Sequence, residues 1–247
     1  MGLGAARNLL KTAAAVAALA VTSADARGDT IAVWNFNLGS TTGSGSANEA
    51  ALLTVNHGAG TMTTTADPNF VVSFTGTTNG AYAGDAAGAA LAIQNGTSGE
   101  NNGTNLTWTA STAGESNITV SFAIQATATG FNNDQFQYTT DGTTWTNFGN
   151  AFAPNLTSNS GFSVPAGLVT FDLSSITALN GDANAGFRIV FNGGSSSSSS
   201  GNNRIDNVIV SGTAVAVPEP ATFVMMGIGL FGVTSLGLRR RLRPSGL

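Results

Sequence analysis

Alternation of apolar and small polar residues is the dominant pattern along the middle of the chain. It is clearest from Ile118 to Gln125 and again from Phe187 to Phe191, where every second side chain is apolar. A period of two places the apolar residues on one face of a β-strand. The runs are short and are separated by Gly, Asn and Ser, which is typical of strands joined by turns. Further strands are predicted at 31–36, 70–75, 91–94, 105–109, 135–139, 144–148, 168–173 and 204–210.

About ten short strands in one chain predict an all-β fold, an antiparallel two-sheet sandwich with a jelly-roll-like arrangement. Asp141-Gly142 predicts a hairpin turn, because Gly accepts a positive φ and Asp tolerates one. The tract from Ser195 to Ser200 predicts a flexible hairpin loop tip between the last two strands, and residues 39–47 form a similar flexible tract. No segment in this region shows sustained helical periodicity.

The N-terminal end has the pattern of a secretory signal. Arg7 and Lys11 precede a short apolar stretch at 12–22, which predicts a signal helix. Ala24 and Ala26 then have the small-x-small spacing at which signal peptidase cleaves. The apolar stretch is too short to span a bilayer as a stable helix. An uncleaved amphipathic helix is the alternative.

The C-terminal end combines three features. Pro218, Glu219 and Pro220 precede an uncharged apolar stretch at about 221–238, which has the length of a marginal transmembrane helix. The basic residues that follow should stay on the cytoplasmic side, so the preceding domain lies outside. An ordinary tail anchor is one interpretation of this pattern. The basic residues are Arg239, Arg240, Arg241 and Arg243.

This tripartite tail resembles the PEP-CTERM sorting signal. The resemblance implies an exosortase-like processing enzyme and a Gram-negative bacterium that makes exopolysaccharide. It also implies a membrane-anchored precursor that is released to the cell surface or the extracellular matrix. The same tail is catalogued with ice-binding proteins. The predicted organisation is a signal peptide at 1–26, a β-sandwich domain at 27–216 and a sorting tail at 217–247.

A second resemblance covers the last strands of the sandwich. Phe171-Asp172-Leu173, Phe187-Arg188-Ile189 and the run from Arg204 to Val210 look like the closing strands of secreted bacterial jelly-roll domains. They are similar in outline to carbohydrate-binding modules. This resemblance implies a jelly-roll fold and does not identify a ligand.

Composition narrows the classes of function. Only three of the nine basic residues lie between the two ends, against eleven of the thirteen acidic ones, so no basic stripe exists for nucleic acid. The chain has no cysteine, which excludes thiolate catalysis, cysteine-ligated metals and disulfides.

Candidate catalytic residues are few. The sole histidine, His57, is predicted to lie in a surface loop, and no Gly-x-Ser-x-Gly elbow accompanies any serine. Glycoside hydrolysis needs two placed carboxylates, whereas Glu49, Glu100 and Glu115 stand amid Gly, Asn or Ser. We therefore predict that the protein is not an enzyme and has no organic cofactor.

Two binding sites are candidates. Trp34 and Trp108 are predicted in the core, whereas Trp145 follows a hairpin turn and is the candidate for glycan stacking. Asp206 lies within a predicted strand and needs backbone donors, an arginine or, in second place, calcium. Pairing of the first and last strands would bring Asp29 near it. Structural Asx turns are the alternative use of the other oxygen donors: Asn132, Asn133, Asp134, Asn202, Asn203 and Asn207.

These features favour an exported, non-enzymatic structural protein of the cell envelope or matrix, associated with exopolysaccharide. A carbohydrate-binding module with a defined glycan site is the main alternative. A hydrolase is a weaker one. The threonine-rich run 61–65 leaves ice binding as a further weak alternative, because one short run is no ice-matching array.

Overall fold

The structure of the protein, a computed structural model, describes residues 29–39, 43–154 and 167–215. Twelve strands, one α-helix and three short 3-10 turns lie in this part of the chain. The strands are β1 (Asp29–Trp34), β2 (His57–Gly58), β3 (Thr61–Thr64), β4 (Val71–Thr75), β5 (Ala89–Gln94), β6 (Asn105–Thr109), β7 (Glu115–Ala126), β8 (Gln135–Thr139), β9 (Thr146–Asn147), β10 (Leu168–Asp172), β11 (Gly186–Val190) and β12 (Asn202–Ala214). The helix is α1 (Ser46–Leu52), and the 3-10 turns are Pro68–Phe70, Thr97–Gly99 and Thr177–Leu179.

The strands form two antiparallel sheets that face each other. The seven-stranded sheet follows the order β10-β7-β12-β1-β2, and β4 and β5 join it through β12. The five-stranded sheet follows the order β3-β6-β11-β8-β9. The predicted all-β, antiparallel two-sheet sandwich is therefore confirmed.

The long strand β12 organises the larger sheet. Its first residues pair with β5, its later residues pair with β1, and its other edge pairs with β7. A bulge interrupts the pairing with β7 between Asp206 and Ile209, and Asn207 within it has a φ of 53°. Asn tolerates a positive φ better than most residues do, and such a bulge re-aims the side chains beside it.

Apolar side chains fill the space between the sheets. Ile118, Val120, Phe122 and Ile124 are buried, as the alternation in β7 predicts. The ring of Phe122 meets that of Trp108 edge-on, with 6.1 Å between centroids. Such aromatic pairs add to the free energy that burial alone provides.

Three short elements were not predicted. Helix α1 begins inside the segment interpreted as a flexible tract, β2 contains His57, which was interpreted as a loop residue, and no element was predicted where β3 lies. A seven-residue helix is too short to show helical periodicity, although its Ala and Leu favour it. A two-residue strand has no detectable alternation, so only its pairing with β1 defines β2.

The hairpin at Asp141-Gly142 is confirmed. Strands β8 and β9 pair on either side of it, and Gly142 has a φ of 73°. The Asp141 carboxylate accepts hydrogen bonds from the backbone N–H groups of Thr143 at 2.8 Å and Thr144 at 2.6 Å. These donors lower the pKa of Asp141 from its ordinary value. These bonds hold the backbone of the turn immediately before Trp145.

Candidate functional site: the outer face of the five-stranded sheet

Five polar side chains form one row across the outer face of the five-stranded sheet. Strand pairing places them opposite one another in an unbroken series. On the two central strands their neighbours, Leu106, Trp108, Phe187 and Ile189, are buried in the core. Adjacent strands lie about 4.8 Å apart, so the series spans roughly 19 Å. We call it the polar row; it consists of Thr63, Thr107, Arg188, Gln137 and Asn147.

Hydrogen bonds order one half of the polar row. Arg188 Nε donates to Gln137 Oε1 at 2.5 Å, and Gln137 Nε2 donates to Asn147 Oδ1 at 2.6 Å. Both the oxygen and the nitrogen of the Gln137 side-chain amide are therefore hydrogen-bonded. Within the described residues the two terminal nitrogens of Arg188 have no hydrogen-bond partner.

Trp145 lies beside the polar row. The Arg188 guanidinium carbon is 4.3 Å from the centroid of its ring, within the range of a cation–π interaction. Gly186 lies beneath the indole, because a Cβ at that position would come 3.4 Å from its outer edge. The indole is half-buried, so the candidate for glycan stacking lies on an open face with Arg188 against its ring.

A shallow cleft adjoins the same face near the hairpin turn. It has a volume of about 410 Å³, and apart from one asparagine its walls are Gly, Ala and hydroxyl residues. Small side chains leave backbone N–H and C=O groups accessible to a ligand. Across the cleft wall, the hydroxyls of Thr61 and Thr109 hydrogen-bond at 2.6 Å. The lining residues are Ala59, Gly60, Thr109, Ser111, Gly142, Ala183, Asn184 and Ala185.

Asp206 lies on the other sheet and is fully buried. Its carboxylate accepts from the backbone N–H groups of Thr77 at 2.7 Å and Asn207 at 2.8 Å. The sequence ranks backbone donors or an arginine ahead of calcium, and both of these hydrogen bonds come from the backbone. Burial raises the pKa of Asp206 to about 8, although the two donors act in the opposite direction.

The two residues of the predicted calcium site lie apart. Strands β1 and β12 do pair, but Asp29 stands opposite Gly212, six residues along β12 from Asp206. At about 3.3 Å per residue this separation is roughly 20 Å. The described residues contain no group of three or more His, Cys, Asp or Glu side chains suited to a metal.

Other candidate calcium ligands serve the structure. Asn203 Nδ2 donates to Asp134 Oδ2 at 2.7 Å and to the Phe131 carbonyl at 3.1 Å, and its Oδ1 accepts from the Phe131 N–H. Burial raises the pKa of Asp134 to about 8. These bonds tie the start of β8 to β12 in the interior.

The candidate catalytic residues lie on separate elements. His57 belongs to β2 rather than to a loop, because β2 pairs with β1, and its Nε2 lies 3.1 Å from Asp85 Oδ1. Asp85 also accepts from Asn35 Nδ2 at 2.8 Å. Of the three glutamates, Glu49 lies in α1, Glu115 begins β7, and Glu100 follows a 3-10 turn.

The polar row could not be found from the sequence. Each of its residues occupies an ordinary polar position in an alternating strand, and no local motif distinguishes it. Only the register between strands brings the five together, and register depends on the whole sheet. The one available signal was Arg188, a charged residue between two core residues, Phe187 and Ile189.

Comparison with known proteins identifies the tail first. The family described as the PEP-CTERM protein-sorting motif matches residues 216–241. This sorting signal marks an exported protein with a membrane-anchored precursor. No curated protein matches the chain. The ice-binding association of the tail stays a prediction.

Solved structures with similar folds include several polysaccharide-binding modules. The xylan-binding module CBM15 is 11% identical, with a TM-score of 0.36, over 64% of this chain and 100% of that one. The CBM22-1 xylan-binding domain of Paenibacillus barcinonensis Xyn10C is 10% identical, with a TM-score of 0.36, over 76% and 97%. The cellulose-binding domain of Cellulomonas fimi β-1,4-glucanase C is 14% identical, with a TM-score of 0.32, over 62% and 96%. Likeness at this level does not reveal what this chain binds.

The predicted processing residues lie outside the described residues. They comprise the cleavage positions Ala24 and Ala26 and the sorting motif at Pro218, Glu219, Pro220, Arg239, Arg240, Arg241 and Arg243. The predicted transmembrane helix at 221–238 also lies there. Within the described residues, no helix is long and apolar enough to cross a membrane.

Proposed function

We propose that this exported protein is a non-catalytic component of the cell envelope or extracellular matrix that binds polysaccharide on the outer face of its five-stranded sheet. The observation that carries the proposal is the polar row beside Trp145. It unites the structural role that the sorting tail favours with the glycan site that the sequence left as an alternative.

The chemistry of the outer face suits a sugar chain. Sugar hydroxyls both donate and accept hydrogen bonds, and the polar row offers hydroxyl, amide and guanidinium groups over roughly 19 Å. The indole of Trp145 adds a flat apolar surface at which the C–H face of a sugar ring can pack. The adjoining cleft can accommodate part of the ligand.

Processing at the tail is a separate part of the proposal. An exosortase-like enzyme cleaves near Pro218–Pro220 after signal peptidase has removed residues 1–26, and the released domain stays in the matrix. Mass spectrometry of the surface protein should then find no peptide containing Arg239–Arg243. An intact C-terminus on surface-exposed protein would leave an ordinary membrane anchor instead.

Binding is tested on the full chain in mild detergent, by retardation in gels that contain soluble polysaccharides. We expect Trp145→Ala to abolish retardation. Phe74→Ala is the matched control, because Phe74 is a half-buried aromatic on the outer side of the other sheet, beneath Arg204. Retardation that both variants keep, or that both lose while folded, would refute binding at this face.

Intrinsic fluorescence provides a second readout. Trp34 and Trp108 are fully buried, so a change in emission on adding polysaccharide reports mainly on Trp145. We expect the change to disappear in Trp145→Phe. A change that persists in that variant would place the ligand elsewhere.

A further inference from the structure

We infer that the polysaccharide bound at this face carries carboxylate groups, and that the terminal nitrogens of Arg188 bind them. The inference rests on the proposed function and names the chemical class of its ligand. It follows from the partners of Arg188, from its burial and from the charges around it.

Arg188 is a cation without a counter-charge in the described structure. The only ion pair found among the described residues joins His57 and Asp85, and no carboxylate bonds to Arg188. Partial burial lowers the pKa of Arg188, which shows that desolvation already disfavours its charged form. The guanidinium nevertheless remains charged at neutral pH. A ligand carboxylate would offset this unfavourable desolvation, whereas a hydroxyl would do so less well.

The guanidinium is held in a suitable orientation. Its Nε donates to Gln137 Oε1, and its central carbon lies over the ring of Trp145. Both contacts restrain the group while leaving the two terminal nitrogens available as a fork. Such a fork matches the two oxygens of a carboxylate and forms paired, charge-assisted hydrogen bonds.

The polar row, whose five residues are all described, contains no carboxylate that would compete for Arg188. Every other member of the polar row is Thr, Gln or Asn, although the chain as a whole is acidic. The acidic residues of the adjoining turns bond locally. Asp141 accepts from the N–H groups of its own hairpin, and Asp182 Oδ1 accepts from Asn184 N at 2.8 Å.

Arg204 is a comparable arginine on the other sheet. It is the other arginine among the described residues, and it also lies over an aromatic ring, at 3.9 Å from the centroid of Phe74. Its Nε donates to Asn202 Oδ1 at 3.2 Å. It lies on the seven-stranded sheet, away from the polar row, and therefore provides a matched control.

The experiment compares polymers that differ only in charge. Alginate and polygalacturonate are each paired with their carboxyl-reduced form, and affinities for the full chain in mild detergent are measured by gel retardation. One charge-assisted contact should make the acidic form bind about tenfold more tightly than the reduced form. Arg188→Gln should remove this preference while keeping the melting temperature, and Arg204→Gln should keep the preference.

The outcomes separate the two proposals. Equal affinity of the wild-type chain for acidic and reduced forms overturns the inference, while polysaccharide binding at Trp145 survives. A preference that Arg188→Gln retains also overturns it, because the carboxylate must then bind elsewhere. Failure to bind any of the four polymers, together with a panel of neutral polysaccharides, contradicts the proposed function itself.

Discussion

The outer faces of the two sheets carry the same type of arginine–aromatic pair, but the surroundings of the two pairs differ. Each face has an arginine over an aromatic ring, Arg188 over Trp145 and Arg204 over Phe74. On the five-stranded sheet all members of the polar row are at least partly exposed. On the seven-stranded sheet Ala92 and Ala123, which flank Arg204 and Asp206 on neighbouring strands, are fully buried.

A loop explains the difference. The connection 76–88 between β4 and β5 is tied to β12 through Asp206 and Asn207, whose Nδ2 donates to the carbonyls of Thr77 and Asn79. Further along, a Cβ on Gly80 would meet the side chain of Leu168 on β10. The loop therefore covers this face around Asp206, whereas the members of the polar row are at least partly exposed.

The largest expected loss of stability comes from a core substitution that affects both sheets. Phe122→Ala removes a fully buried ring that packs against Trp108 and Phe171, and should lower the free energy of unfolding by about 3–5 kcal/mol. Denaturant unfolding measures this change. Ser121→Ala, on the opposite side of the same strand, should cost less than about 0.5 kcal/mol. A small loss for Phe122→Ala would contradict the assigned core.

A change on the face covered by the loop should affect stability without affecting binding. Asn207→Ala removes two hydrogen bonds to the loop and leaves a positive φ that Ala tolerates poorly, so we expect a loss of about 2–3 kcal/mol. On the open face, Gln137→Ala should cost less than about 1 kcal/mol but weaken polysaccharide binding. Weaker binding in Asn207→Ala together with unchanged binding in Gln137→Ala would contradict the assignment of the two faces.

A further effect on stability should depend on pH. Burial raises the pKa of Asp206 and Asp134 to about 8 in the folded chain, above the value of about 4 expected when unfolded. Their contribution to stability is complete below pH 4 and is lost as the pH rises toward 8.

The melting temperature should therefore fall between pH 5 and pH 9. Asp206→Asn should weaken this dependence even if it also lowers stability at every pH. Asp172→Asn is the control, because the pKa of Asp172 is lowered, by its hydrogen bonds with Ser174. A melting temperature that stays flat or rises over this range would contradict neutral buried carboxyls.

Local pattern predicted the strands and the layers well. The alternation in β7 and β11 specified which side chains are buried, because a strand has only two faces. The hairpin at Asp141 followed from turn chemistry alone. The serine tract is a largely exposed loop, as predicted, but it joins β11 and β12, which lie in different sheets, so the predicted hairpin is wrong. Buried Asn95 donates to the carbonyls of Ser195 and Ser198 and so anchors the loop.

The features that were missed depend on contacts between distant segments. His57 was interpreted as a loop residue because a two-residue strand is defined only by its partner, and Asp85 lies 28 residues away. Asp29 was placed near Asp206 because strand pairing was predicted without its register. The polar row likewise needs four registers at once. Local propensity contains none of this information.

The difference between the two faces is tested most directly by hydrogen exchange with mass spectrometry, with and without saturating acidic polysaccharide. We predict slower exchange in the hairpin 140–147 and in residues 182–186, which border the polar row and the cleft, with no change in the loop 76–88. Protection confined to that loop, or absent from the hairpin while the polymer is bound, would contradict the assignment of the five-stranded sheet as the binding face.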